Sequence, residues 1–186
     1  TVLPKPDVLF TIPNQTICSG DASNEVTLNS VAGATLSWTA IQPAGISGVL
    51  TSGTNTIPAQ TLVNSTNAPI VVTYNATASL ASGTTCVGAV FPYNITVKPK
   101  PFIAANMTSV SCSGFLFSAT PINGSGNIIP TGTTYSWSIP IVTGGLTGGT
   151  SGTNQTSISG TLINPTTSVQ TATYTVIPTV NGCSGL

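Results

Sequence analysis

Four cysteines, seven Asn-x-Ser/Thr triplets, three carboxylates and three lysines are the residues of this 186-residue chain whose types could do chemistry. Cys18, Cys86, Cys112 and Cys183 are even in number and fall at equivalent places in two halves, which points to structural disulfides and an oxidising compartment. CxxC spacing is absent and the chain contains no His, so a mixed zinc site has no ligand set. The triplets begin at Asn14, Asn64, Asn75, Asn94, Asn106, Asn123 and Asn154. They are acceptor sequences for N-linked sugar, although a chain this rich in Asn, Ser and Thr generates some by chance.

Lys5, Lys98, Lys100, Asp7, Asp21 and Glu25 are all the charge there is, and Arg is missing along with His. Enzymatic catalysis needs a general acid or base, a metal or an activated nucleophile. Without His, a Ser or Thr hydroxyl has no evident base. The three carboxylates lie in the first 25 residues and have no counterparts in the second half. A glycosidase-type pair drawn from them is a poorer reading than solvated loop charges. The expectation is therefore a non-enzyme without cofactor. Clustered carboxylates for calcium are also missing. A self-made Lys–Asn isopeptide bond would need a buried Lys beside a buried acid, and the lysines sit in Pro-rich segments.

A charged fraction of 3%, against about 25% in ordinary domains, leaves no basis for nucleic-acid binding or for electrostatic attachment to lipid. No apolar run approaches the roughly 20 residues that span a bilayer. With 40% hydrophobic residues at regular spacing, the chain is nevertheless a folding one. Solubility must come from Ser, Thr, Asn and Gly on the outer faces of its elements. No Met-initiated signal peptide is present, so the sequence reads as a mature chain or an internal fragment.

Those elements are strands. In Thr35-Leu36-Ser37-Trp38-Thr39-Ala40, Leu36, Trp38 and Ala40 alternate with polar residues, as in a half-buried β-strand anchored by a large aromatic. Thr134-Tyr135-Ser136-Trp137-Ser138-Ile139 repeats the pattern, with Tyr135, Trp137 and Ile139 as the inward set. Trp38 and Trp137 are the only tryptophans, 99 residues apart. Core packing accounts for both better than sugar-stacking platforms do. The first half reads as strands near 8–12, 25–31, 35–41, 57–63, 69–80 and 89–98, with Val72, Tyr74, Ala76 and Ala78 facing in, and Phe91, Tyr93, Ile95 and Val97 likewise. In the second half, Phe115, Phe117 and Ala119 open the series. The Trp137 strand follows, then 156–163 and 169–178, with Ala172, Tyr174 and Val176 inward. Gly, Ser, Asn and Pro clusters punctuate these runs and no helical period appears.

The halves are internal repeats. Ser52-Gly53-Thr54-Asn55 matches Ser151-Gly152-Thr153-Asn154, and Thr61-Leu62-Val63-Asn64 matches Thr161-Leu162-Ile163-Asn164. Val72-Thr73-Tyr74 matches Ala172-Thr173-Tyr174, and Cys18-Ser19-Gly20 matches Cys112-Ser113-Gly114. The expected fold is all-β: two tandem immunoglobulin-like antiparallel sandwiches. Residues 7–98 form the first repeat and 102–186 the second, joined by a semi-rigid Pro spacer at 99–101. Thr1-Val2-Leu3-Pro4-Lys5-Pro6 echoes Thr96-Val97-Lys98-Pro99-Lys100-Pro101, so 1–6 reads as the tail of a preceding repeat or linker. Copy one continues past Cys86 into a strand at Ala89–Val97, whereas copy two has only three residues after Cys183. Its last strand is expected to be missing, through truncation or because a neighbouring subunit supplies it.

Pairing within each copy, Cys18–Cys86 and Cys112–Cys183, is favoured because the spacing recurs. Each bond would close a loop of about 70 residues, worth roughly 4 kcal/mol in the chain-entropy model. In a plain immunoglobulin topology, however, the loop after the first strand and the last hairpin lie at opposite poles. A cross-repeat bond, Cys18–Cys183, and free thiols therefore stay open.

The order ICSG, T-x-S-W, VTY or ATY, NGCSG and an ITVKPKP tail resembles the PKD-like, immunoglobulin-like repeats of very large bacterial surface proteins. The giant adhesins of gliding bacteria that use type IX secretion are the nearest setting. The likeness covers essentially the whole chain, although these repeats usually carry more charge and the tail motif does not recur in copy two. It implies an extracellular, cell-surface location and a stiff structural or adhesive stalk. Partners would be neighbouring repeats or subunits of the same protein, with surface polysaccharide as a further candidate. The alternatives are a subunit of a polymer assembled by donor-strand exchange and a carbohydrate-binding accessory module of a secreted enzyme.

Overall fold

The computed structural model describes residues 2, 4–82 and 84–185. Residues 1 and 3 of the N-terminal tail and residue 186 lie outside that set. The chain divides into two units, Thr1–Pro99 and Lys100–Leu186. Each is built from strands, and among the described residues no helix is long and apolar enough to cross a membrane.

The first unit contains β1 (Leu9–Phe10), β2 (Gln15–Cys18), β3 (Val26–Asn29), β4 (Thr35–Ala40) and β5 (Ile46–Ser47). It continues with β6 (Ser52–Thr54), β7 (Thr56–Ile57), β8 (Val63–Asn64), β9 (Ile70–Ser82) and β10 (Thr84–Lys98). One sheet has the order β1-β3-β7, the other β2-β10-β9-β4-β6, and β5 pairs with β8. Two sheets facing across one apolar layer make the expected sandwich. Strict alternation places Leu36, Trp38 and Ala40 of β4 inside. Val72, Tyr74, Ala76 and Ala78 of β9 join them, with Tyr93, Ile95 and Val97 of β10.

One pairing departs from the antiparallel expectation. β2 runs parallel to β10, from Gln15↔Ile95 to Cys18↔Lys98. Pro13 lies between β1 and β2 and cannot donate to a ladder, so the chain breaks there and passes from one sheet to the other. The 57–63 segment, read as one strand, forms β7 and β8 in different sheets.

The second unit contains β11 (Leu116–Ala119), β12 (Thr134–Trp137), β13 (Ile141–Val142) and β14 (Gly152–Gln155). After these come β15 (Ile158–Thr161), β16 (Ala172–Thr173), β17 (Val176–Val180) and β18 (Cys183–Ser184). Its main sheet has the order β14-β12-β17-β18, beside the pairs β11–β15 and β13–β16. Tyr135, Trp137 and Ile158 form the buried centre, with Ile103, Phe117, Tyr174 and Val176 packed against it.

Two inward assignments are corrected. Ile139 is 70% exposed because β12 ends at Trp137, and the following Pro140 precludes a further donor in the ladder. Phe115 is 69% exposed because β11 begins one residue after it. The run at 169–178 is also divided, β16 pairing with β13 and β17 with β12.

Pro6 and Pro101, placed by the sequence in linker and spacer, are both fully buried. A Cβ on Gly88 would lie 2.1 Å from the Pro6 carbonyl oxygen, and one on Gly185 would lie 2.0 Å from that of Pro101. Only glycine admits so close a backbone approach. Each KPKP-type proline is thus seated in the unit that follows it.

Candidate functional site

The repeated motifs converge on two devices in each unit. The first surrounds the tryptophan. Trp38 stands opposite Gly53 across the β4–β6 ladder, and Trp137 stands opposite Gly152 across β12–β14. A Cβ on Gly53 would sit 2.5 Å from the Trp38 indole, and one on Gly152 would sit 2.4 Å from that of Trp137. The recurrence of SGTN at the same spacing as the tryptophans is therefore a packing requirement. The Trp38 Nε1–H donates to the Thr56 carbonyl at 2.9 Å, and the Trp137 Nε1–H to that of Thr150 at 3.0 Å. Tyr74 meets Trp38 edge-on at 5.5 Å, and Tyr174 meets Trp137 at 6.3 Å. Both indoles are committed to their cores, as the alternation implied.

The second device joins CSG to TLVN or TLIN. In the first unit, Gly20 N–H donates to the Leu62 carbonyl at 2.8 Å, and Asn64 N–H donates to Ser19 Oγ at 2.9 Å. In the second, Gly114 N–H reaches the Leu162 carbonyl at 2.9 Å, and Asn164 N–H reaches Ser113 Oγ at 2.9 Å. Asn64 Oδ1 accepts from the Thr66 N–H and hydroxyl, and its Nδ2 donates to the Ala68 carbonyl at 2.8 Å. Asn164 makes the same loop with Thr166 and Ser168. In each unit this is an Asx-turn that pins the chain ahead of the next strand, β9 or β16. Sequence reading found both motifs as repeat marks without finding that they touch, since 45 residues separate Ser19 from Asn64.

The cysteines overturn the favoured pairing. Cys18 and Cys183 are disulfide-bonded, whereas Cys86 and Cys112 are free. Neither Cys18–Cys86 nor Cys112–Cys183 is therefore made. These states are the ones that the Cys18–Cys183 alternative requires. Equal spacing in sequence does not place equivalent cysteines in equal surroundings: Cys112 is exposed and Cys86 half-buried, and Cys183 is buried.

The sugar-acceptor triplets also separate. Asn64 is 3% exposed with both side-chain atoms bonded inside the fold, so its Nδ2 has no route to a sugar-transfer enzyme. Asn94 is half-buried and accepts from the Thr73 hydroxyl at 2.8 Å, and the exposed Asn14 accepts from the Asn94 N–H at 2.9 Å. Asn75, Asn106, Asn123 and Asn154 are exposed.

Lys5, Asp7, Asp21 and Glu25 are exposed, and Lys98 and Lys100 half-buried. Among the described residues no group of three or more His, Cys, Asp or Glu side chains is placed to hold a metal ion. The shifted titrating groups are tyrosines. Burial pushes the hydroxyls of Tyr74, Tyr93, Tyr135 and Tyr174 above their ordinary range. The hydrogen bond that the Tyr74 hydroxyl donates to Gln60 Oε1, and the one that Gln15 Nε2 donates to the Tyr93 hydroxyl, partly oppose this. An open apolar groove of about 510 Å³ lies along Leu9, Phe10, Ile12, Phe91 and Tyr93.

Against known families, the sequence profile of the PKD-like domain matches twice, over residues 15–101 and 109–186. A comparison with curated proteins returns no match.

Proposed function

The chain belongs to the PKD-like domain family, as two tandem copies, and we propose that it is a structural or adhesive segment of a long extracellular surface protein, acting as a stiff repeat stalk. The observation that carries this reading is what the two copies have in common. The Trp–Gly contact, the Ser–Asn clasp and the buried proline recur in both. All three are devices of packing and backbone bonding. PKD-like domains are commonly extracellular structural or adhesive repeats. The disulfide-bonded cysteines fit an oxidising location such as the cell surface.

The reading extends to a protein without catalytic activity, whose partners are neighbouring repeats or subunits of the same protein. The carbohydrate-module alternative needs a row of exposed aromatic rings. Trp38, Tyr74, Tyr93, Tyr135 and Trp137 are buried instead.

Single-molecule stretching of the chain between inert handles, under reducing conditions that open the bond of Cys18 and Cys183, tests the stalk reading. Two unfolding events are expected, with the first unit resisting higher force. A continuous extension without force peaks would overturn it. Specific retention on a glycan array, lost on substituting an exposed residue such as Phe115, would replace it with the carbohydrate reading.

A further inference from the structure

In the first unit an early strand and the last one lie side by side. β2 and β10 run parallel, in register from Gln15↔Ile95 to Cys18↔Lys98. Further bonds lengthen this seam at both ends. Ahead of β2, Asn14 Oδ1 accepts the Asn94 N–H at 2.9 Å, so a side-chain amide stands where a ladder carbonyl would. The Tyr93 hydroxyl donates to the Pro13 carbonyl at 2.8 Å and accepts from Gln15 Nε2 at 2.9 Å. Beyond β2, the Ser19 N–H donates to the Lys98 carbonyl at 2.8 Å.

At that far end the Ser–Asn clasp joins the seam. Asn64 Nδ2 donates to the Val97 carbonyl of β10 at 2.9 Å. The Asn64 N–H donates to Ser19 Oγ at 2.9 Å, and the Ser19 hydroxyl donates back to the Asn64 carbonyl at 3.2 Å. Ser19 is 8% exposed and Asn64 3%, so water competes little for these bonds, which are strengthened by their apolar surroundings. Asn64 thus bolts the ends of both strands to β8. Three of the seven acceptor triplets, those of Asn14, Asn64 and Asn94, have their asparagines committed to this one seam.

We propose that the β2–β10 seam is the force-bearing clamp of the first repeat. The proposal rests on the stalk reading, in which tension runs along the chain. Tension arriving ahead of β1 pulls β2 back by its first residue. Tension leaving after Lys98 pulls β10 forward by its last. Because the two strands point the same way, these pulls slide one along the other. The rungs of a parallel pair are evenly spaced, so sliding strains all of them together. Strands pulled apart from a shared end would instead open rung by rung. The Asn14 and Gln15 bonds at one end and the buried clasp at the other hold the positions where sliding would begin.

The test stretches the intact chain, with the bond of Cys18 and Cys183 reduced, between handles placed in two ways. Handles at Lys5 and Lys100 slide the seam. Handles at Asp21 and Lys100 draw both strands apart from the end at Cys18 and Lys98 and peel it. Forced unfolding reads the unfolding rate rather than the equilibrium stability. At one loading rate, peeling should break the first unit at about half the sliding force or less. Asn14→Ala, at an exposed position, should lower the sliding force and leave the peeling force unchanged. Ile57→Val, in the buried core on the other sheet, should lower the melting temperature and preserve the difference between the two geometries. Equal forces in the two geometries would overturn the clamp and leave the stalk reading standing, as would an Asn14→Ala loss of the same size in both. Absence of a force peak in either arrangement would overturn clamp and stalk together.

Discussion

The two repeats share their motifs and differ in how far those motifs are covered. Among the described residues, the first unit gathers sixteen buried apolar side chains into one cluster, and the second gathers three. The tryptophan, its glycine and the Ser–Asn clasp are present in both, so none of them explains the difference. The strands beside them do. In the first unit β10 contributes Tyr93, Ile95 and Val97, each completely or almost completely buried. At about 1.5–3 kcal/mol for each large apolar side chain, that stripe of three is worth about 4.5–9 kcal/mol. A small domain is stable by only about 5–15 kcal/mol in total. In the first unit one strand's side chains therefore supply a large share of the core's stability.

The largest expected effect tests the two tryptophans against each other. Trp38→Ala should cost about 3–5 kcal/mol and abolish the first unit's cooperative transition in denaturant. Trp137→Ala should cost less, because fewer buried neighbours enclose the ring. Equal losses would undo the contrast.

The cysteines come next. Cys18→Ser or Cys183→Ser should each lower stability by about 2–5 kcal/mol, whereas Cys86→Ser and Cys112→Ser should stay within about 0.5 kcal/mol. A non-reducing peptide map that contains a Cys18–Cys86 or Cys112–Cys183 fragment would reverse the assignment.

Gly53→Ala and Gly152→Ala sharpen the comparison from the opposite side, because here the copies should agree. Each new methyl would press on an indole, at about 1–3 kcal/mol of overpacking. Thermal melts resolving the two transitions should show both shifted.

The clasp should divide the copies again. Ser19 is buried, and its hydroxyl donates to the Asn64 carbonyl while accepting from the Asn64 N–H. Ser19→Ala should cost about 1–3 kcal/mol, and Ser113→Ala, at an exposed position, less than about 1 kcal/mol.

The smallest effect is on the acid side. The chain has only three acidic side chains and no His, so few groups can link stability to pH and the melting temperature should barely change between pH 7 and pH 3. A steep fall would count against this. The alkaline side has a definite sign. Burial raises the tyrosine hydroxyls in the folded state, so their contribution is fully present below about pH 10 and declines as pH climbs through the raised values. Tyr74→Phe should soften that decline for the first unit in particular.

Much of the architecture was legible because it rests on local rules. Alternation around Trp38 and along Val72–Ala78 names the inward residues wherever a strand is flanked on both sides. The same rule failed at Phe115, one residue before a short strand, and at Ile139, two residues after one, since alternation carries no information about where pairing stops. The parallel β2 escaped notice because three half-buried residues and one exposed one, two residues past Pro13, carry no alternation distinct from a loop. Asn64 looked like six other acceptor triplets, and its burial depends on β10, more than thirty residues away.

From its sequence alone this protein is determined to be all-β and duplicated, poor in charge, and anchored on two tryptophans in a repeated strand pattern. Those properties follow from side-chain period, composition and steric need within a few neighbouring residues. Only the tertiary structure decided which cysteines are oxidised, which Asn is sealed inside, and where each short strand stops pairing. Each of those depends on what lies across a sheet from the residue in question. Two copies of one motif meet different partners there.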